Sequence, residues 1–225
     1  MAEKPEGYIY YGRRKGRPLR TGKKDLLENA LPKILVPGGE EALDPSALFT
    51  HAPKEIWLEI GFGSGDHLVA QAAAHPGHGF IGAEPFRNAI ANCVGLIEAA
   101  GLTNVRIHPE DVRPLLDRLK PGSLAGIYVL FADPWPKKRH ADRRFIGPGN
   151  LPKLARVLRK DGVLRVATDD PTLQAWTDEQ LKEAPDFTPA PGQLPERPAD
   201  WPPTRYEQKA IKAKRVPKFW IYRRV

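Results

Sequence analysis

From residue 55 onward, short apolar runs alternate with stretches whose apolar positions recur every three or four residues. The runs are 55–60 (EIWLEI), 79–84 (GFIGAE), 105–108, 126–131 (GIYVLF) and 162–168 (GVLRVAT). Their length and their bounding glycines predict strands. Between them, residues 67–74, 87–100, 112–119, 150–158 and 171–184 carry helical spacing, for example Ile90, Cys93, Val94 and Ile97. Gly101 closes the second of these helices, and Pro171 opens the last. Strands alternating with helices predict an α/β fold with a mostly parallel sheet covered on both faces. A late strand is predicted at 219–223. Before residue 55 the pattern is weaker: a Gly-containing basic arm over 1–24, a short helix over 25–31 stopped by Pro32, and a Pro-rich linker over 36–54. Residues 185–203 form a second Pro-rich stretch.

In a sheet of this kind ligands bind beyond the carboxyl ends of the strands. The residues there are Gly61 to Asp66, Glu84, Asp111, Asp133 and the pair Asp169–Asp170. Four of these five strand ends carry an acid apart from the glycine turn. In Glu59-Ile-Gly61-Phe-Gly63-Ser-Gly65-Asp66 the glycines allow a sharp strand-to-helix turn and close approach of a ligand to the backbone. A dinucleotide fingerprint places a sixth-position glycine where this chain has Asp66, which repels a pyrophosphate. With Glu59 nearby, a cationic ligand such as the sulfonium of S-adenosylmethionine fits better. Glu84, about twenty residues on, is placed to accept bonds from ribose hydroxyls, and Asp111 to reach an adenine amino group.

The 225 residues carry a net charge of +8, and the excess is concentrated. Segments 1–24, 137–144 and 205–225 carry +6, +4 and +7, which leaves −9 on the rest. An acidic body with three basic segments points to a polyanionic partner, and nucleic acid is the favoured one. The strongest chemical cluster joins both trends. Phe131-Ala-Asp133-Pro-Trp135-Pro-Lys137-Lys-Arg139-His140 follows the most apolar strand. Prolines stiffen the loop around the carboxylate, Trp135 offers a stacking face, and the cations can hold phosphates.

Other chemistries are less well supported. The six histidines form no metal-ligand pattern, and His75-Pro-Gly-His78 reads as a loop. The single cysteine, Cys93, lies on an apolar helix face and excludes an intramolecular disulfide framework. With no apolar leader and no long apolar run, a cytoplasmic protein without a membrane anchor is expected. Trp201, Trp220 and Tyr222 suit either packing of the C-terminal segment or base stacking.

The blocks LEIGFGSG (58–65), DPWPKKRH (133–140), VATDD (166–170) and TRYEQK (204–209) resemble, in order and spacing, the bacterial tRNA (guanine-N7-)-methyltransferase family, the TrmB type. The likeness runs over roughly 55–225. It implies a class I, Rossmann-like methyltransferase fold with a seven-stranded sheet, S-adenosylmethionine as methyl donor, and tRNA as substrate, methylated at N7 of the variable-loop guanine (position 46). By position, Glu59, the glycines Gly61, Gly63 and Gly65, Glu84, Asp111 and Asp133 match cofactor contacts, with Asp133 also the catalytic candidate. Lys137, Asp169, Thr204, Arg205, Tyr206 and Glu207 match substrate contacts. Arg139, His140, Arg143 and Arg144 belong to the family's RNA-interacting loop. Ala132 and Pro85 depart from the family pattern. Three other readings compete: a base methyltransferase acting on an exocyclic amine, an inactive RNA-binding protein on this fold, and a nicotinamide-dependent oxidoreductase. Asp66 counts against the last; the set Glu84, Asp111 and Asp133 counts against the inactive protein.

Overall fold

A computed structural model of the chain describes residue 12, residues 14–191 and residues 196–225. The sheet has seven strands: β1 (Ile56–Ile60), β2 (Gly79–Ala83), β3 (Val105–His108), β4 (Leu124–Leu130), β5 (Leu158–Thr168), β6 (Phe187–Pro189) and β7 (Lys218–Arg224). Their spatial order is β3-β2-β1-β4-β5-β7-β6. The first five pair in parallel, and β7 runs antiparallel between β5 and β6. The helices are α1 (Thr21–Asp25), α2 (Asp66–Ala74), α3 (Arg87–Ala99), α4 (Val112–Arg118), α5 (Leu151–Val157), α6 (Pro171–Glu183) and α7 (Arg205–Lys212).

Alternation along the central strands explains why both faces are covered. Ile56, Leu58 and Ile60 of β1 join Ile127 and Val129 of β4 in one core, which α4 and α5 close with Leu115, Leu116, Leu154 and Val157. On the other face, α2 and α3 contribute Leu68, Ala72, Ile90, Val94 and Ile97 around Phe80. A smaller cluster on Tyr128, Leu130, Ala167 and Phe219 is capped by Trp201. The strand order turns back between β1 and β4, so the carboxyl ends of β1, β2 and β4 open onto one crevice.

The structure departs from the sequence expectations mainly at the two ends of the chain. The expected 25–31 helix starts earlier, at Thr21, and passes through a wide π turn (Leu26–Ala30) into a 3-10 turn (Leu31–Ile34). Pro32 therefore sits inside that turn rather than ending a helix. The expected linker over 36–54 is a strap packed along the sheet edge. The Val36 N–H donates to Ile107 O, Leu43 bridges Leu119, and Leu48 and Phe49 pack on the core. Residues 14–24 of the arm lie on α3: Asn88 takes the Gly16 N–H and donates to Arg17 O, and Lys23 donates to Asn92. Residues 1–11 and 13 of the arm lie outside the described residues. β6 and α7 have no counterpart among the expected elements. Trp201 and Trp220 are buried, which settles both in favour of packing. Cys93 is buried as expected, and burial pushes its thiol pKa up. Among the described residues no helix is long and apolar enough to cross a membrane.

Candidate active site

A cleft of about 730 Å³ lies over the carboxyl ends of β1, β2 and β4. That is the size of a site for a nucleoside-scale ligand. Gly61, Gly63 and Gly65 turn β1 into α2 with φ of +71°, +56° and +87°, the left-handed region that glycine enters without strain. At Gly65 any Cβ would lie 2.5 Å from Cys93 Sγ, so α3 sits directly under the loop.

Glu84 fixes this loop. Its Oε2 accepts from the Gly63 N–H at 3.0 Å, and its Oε1 accepts from the Phe86 N–H at 2.9 Å. Pro85 has no N–H to offer, and the donor on the following residue takes that place. Burial raises the Glu84 pKa above the usual carboxylate range. The two N–H bonds oppose the shift, while the charges of Asp133 and Glu59 add to it. Each oxygen keeps a lone pair beyond its N–H bond. Asn92 Nδ2 also tethers the loop, donating to Ser64 O at 2.9 Å.

Glu59 and Asp111 are each held by a protein partner. Glu59 is 3% exposed and lies beneath the loop, its Oε2 2.8 Å from His67 Nδ1. It does not line the main cleft, and a buried carboxylate needs such a partner. Asp111 lines the cleft but caps α4, accepting from the Arg113 N–H at 2.9 Å and pairing with the Arg113 guanidinium at 2.6 Å. Glu110, beside it, also lines the cleft and was not singled out from sequence.

After β4 the chain makes a strained loop. Phe131 and Trp135 have φ of +53° and +43°, unusual for bulky side chains. Exposed Asp133 lies midway between them on the cleft wall. Arg144 holds this geometry. It is only 7% exposed, its Nε and Nη2 donate to Trp135 O at 3.3 and 3.1 Å, and Nε also reaches Pro134 O at 3.2 Å. Its guanidinium covers the Trp176 ring at 4.8 Å. Arg144 is therefore a clamp on the loop rather than an outward RNA contact, because a buried guanidinium must be used on local acceptors. Arg143 covers the Trp135 ring at 5.1 Å and lines the cleft, whereas Lys137 and Arg139 are exposed outside it. The His140 pKa is lowered by desolvation and then by Arg143, Arg139 and Lys137.

The TRYE block is the start of α7. Thr204 caps the helix by accepting from the Glu207 N–H at 3.0 Å. Glu207 is buried and paired with Arg197 at 3.1 Å, so it holds the segment together instead of facing a substrate. Arg205 and Tyr206 do reach the cleft, with the Tyr206 ring against Gly63. Burial raises the Tyr206 pKa, and Glu84 and Asp133 raise it further. Asp169 does not line the cleft and pairs with Arg215. Sequence reasoning missed Asn88, Asn92, Asp142 and Asn150 on the cleft wall. Of these, only the four-residue spacing of Asn88 and Asn92 on one helix face was a usable signal.

A family model described as "Putative methyltransferase" matches residues 53–219. The tRNA (guanine-N(7)-)-methyltransferase of Rhodospirillum rubrum is 48% identical over 232 residues, covering 100% of this chain and 91% of that protein. The enzyme of the same name from Paramagnetospirillum magneticum is 49% identical over 228 residues, covering 99% and 94%. Among solved structures, the 16S rRNA methyltransferase KamB superposes with a TM-score of 0.55 at 16% identity, over 76% of this chain and 88% of that one. TrmN from Thermus thermophilus gives 0.54 at 16%, over 77% and 45%. These likenesses establish a class I methyltransferase fold.

The clamp generates a stability prediction. Arg144→Ala should lower unfolding free energy by about 1.5–3 kcal/mol, the scale of hydrogen bonds to a charged group. Arg144→Lys should not restore it, since an ammonium cannot both stack and fork to two carbonyls. Arg139→Ala should change the unfolding free energy by no more than about 0.5 kcal/mol, as for an exposed side chain. Chemical denaturation of the three variants checks this; an Arg144→Ala midpoint equal to the parent's would contradict it.

Proposed function

The chain belongs to the tRNA (guanine-N7-)-methyltransferase family, and from that premise we propose that its cleft binds S-adenosylmethionine and presents it to N7 of the variable-loop guanine, position 46, of tRNA. The chain is a methyltransferase and works with a methyl donor. The chemistry of the cleft fits this donor. Carboxylates at three strand ends favour a cation over a pyrophosphate, and Glu84 retains acceptor capacity for a ribose. The glycine loop and Glu84 would hold the nucleoside, with Asp111 and Glu110 at the β3 end and Asp133 at the reacting end. When bound, the donor supplies a methyl group on a positively charged sulfur.

Guanine N7 carries an in-plane lone pair and no proton, so no side chain has to remove one. The tasks left to this chain are alignment, exclusion of water and compensation of charge. Positive charge builds on the purine as N7 takes the methyl, and the Asp133 carboxylate is placed to oppose it. Trp135 offers the base a ring to lie against. Lys137, Lys138 and Arg139, exposed just beyond, suit the phosphates, as do Arg205 and the basic residues of the arm. Arg143, by the Trp135 ring, suits the base or its phosphate.

The observation that carries this reading is one juxtaposition. A carboxylate in a strained, clamped loop shares a cleft with the glycine turn and with the start of α7. The direct test incubates the protein with labelled S-adenosylmethionine and unmodified tRNA, then digests the product. Label in 7-methylguanosine from the variable loop supports the reading; label on an exocyclic amine would replace it.

Two substitutions divide the roles. Glu84→Ala should weaken S-adenosylmethionine binding by about 1.5–3 kcal/mol while tRNA binding stays near the parent value. Titration calorimetry reads both, and unchanged cofactor affinity would remove the ribose assignment. Asp133→Asn keeps the shape and removes the charge. At saturating cofactor its turnover should fall roughly 10²–10³-fold, the range for loss of one electrostatic stabiliser, with tRNA affinity kept. Single-turnover kinetics within about threefold of the parent, near 0.65 kcal/mol, would rule out an essential charge there.

A further inference from the structure

Arg165 of β5 does not line the cleft, yet its guanidinium meets three aromatic rings and a carboxylate. Its guanidinium sits 5.2, 5.6 and 5.4 Å from the ring centres of Trp57, Tyr128 and Trp201. Nη1 pairs with Asp200 at 2.7 Å, and the side chain is only 15% exposed. Trp57 and Tyr128 belong to neighbouring strands and stack on each other at 5.1 Å. Trp201 and Asp200 come from elsewhere, the long segment between β6 and α7. A wall of the sheet therefore grips residues 196–204, which form no helix or strand of their own.

That segment depends on the grip. Among the described residues of the segment, Trp201, 2% exposed, is the large apolar anchor in the core, and it meets Tyr128 and Phe219 edge to face. Gln71 of α2 donates to Asp200 O at 2.9 Å, and Arg197 links Trp201 O to the Glu207 carboxylate. Only Pro202 and Pro203 separate Trp201 from Thr204, the cap of α7. Prolines fix φ and make a stiff spacer, so a position imposed at Trp201 is passed on to the next residues. Those residues are Arg205 and Tyr206, on the cleft.

We propose that Arg165 is a positioning residue for tRNA: caged by Trp57, Tyr128 and Trp201 and paired with Asp200, it fixes the Pro-Pro spacer that sets Arg205 and Tyr206 at the mouth of the cleft. The inference rests on the reading of Arg205 and Tyr206 as tRNA contacts. A planar guanidinium suits the task because it faces several rings and a carboxylate at once. An aliphatic residue of similar length would fill the space but hold neither Asp200 nor the rings in a set orientation.

The test is a double-mutant cycle on the full chain, read as KM for tRNA and kcat at saturating S-adenosylmethionine. Arg165→Met is expected to raise KM about fivefold or more with kcat within about twofold, the signature of lost uniform binding. In a background carrying Arg205→Ala and Tyr206→Ala, which has its own raised KM, Arg165→Met should add less than about twofold. An equal KM factor in both backgrounds would overturn the proposal, because Arg165 would then act through something other than Arg205 and Tyr206. So would a parental KM for Arg165→Met when the Arg205, Tyr206 variant is impaired. If the Arg205, Tyr206 variant itself keeps the parental KM, the reading of those residues fails instead, and the proposal falls with it. Should Arg165→Met unfold below assay temperature, Arg165→Lys is used in the same cycle. It keeps a cation near Asp200, so a smaller rise in KM with the same non-additivity is expected, and additivity would again count against the proposal.

Discussion

Both oxygens of Glu84 hold backbone N–H groups, one from the glycine loop and one from the turn into α3. That single carboxylate ties the glycine loop to the turn into α3, and it lines the cleft between them. Its burial is unfavourable for a charge, which is why its pKa is raised despite the two bonds. The unfavourable burial is offset locally: Asn92 tethers the loop from α3, and the Gly65 backbone lies close against Cys93. The site is thus assembled by the fold itself, from strand ends, left-handed glycines and a helix packed beneath them. A preformed site of this kind leaves little to reorganise when ligands arrive.

Around that acidic centre the cations divide into two groups. Arg144 and Arg165 are largely buried and stacked on rings, and they organise the protein: one fastens the Asp133 loop, the other the segment leading to α7. Lys137, Lys138 and Arg139 are exposed, and on the proposed reading they take the phosphates of a large polyanion. The segregation suits a reaction between a small cation and a polyanion. On the proposed reading, negative charge inside the cleft favours the donor and the developing purine cation, while positive charge outside holds the phosphate backbone in register.

Much of this was legible in the sequence, for physical reasons that also explain the gaps. Five parallel strands and their helices follow from apolar runs and spacing, because each buries a face or both. Glu84, Asp133 and the glycines follow from their place at strand ends. Glu59, Arg144 and Glu207 stood in the right motifs, but their burial is a tertiary fact: each turns to a partner, His67, Trp135 O or Arg197, that no local pattern announces. α7 was hidden because RYEQKAIK has only Tyr206, Ala210 and Ile211 as apolar positions among five polar ones, although Thr204 and Glu207 carry the capping-box spacing. The strap over 36–54 reads as a linker in the sequence because its prolines outweigh Val36, Leu43, Leu48 and Phe49, which pack separately along the edge.

The central claim is that this chain accelerates methyl transfer by position and fixed charge, with no proton taken from the nucleophile. The most direct measurement is the single-turnover rate of methyl transfer to tRNA against pH, with both substrates saturating. Over about pH 7–9 the rate should stay flat within about threefold, since N7 carries no proton that a base must remove. A limb of unit slope in that range, with binding still saturated, would reveal a titrating base in the chemical step and contradict the claim.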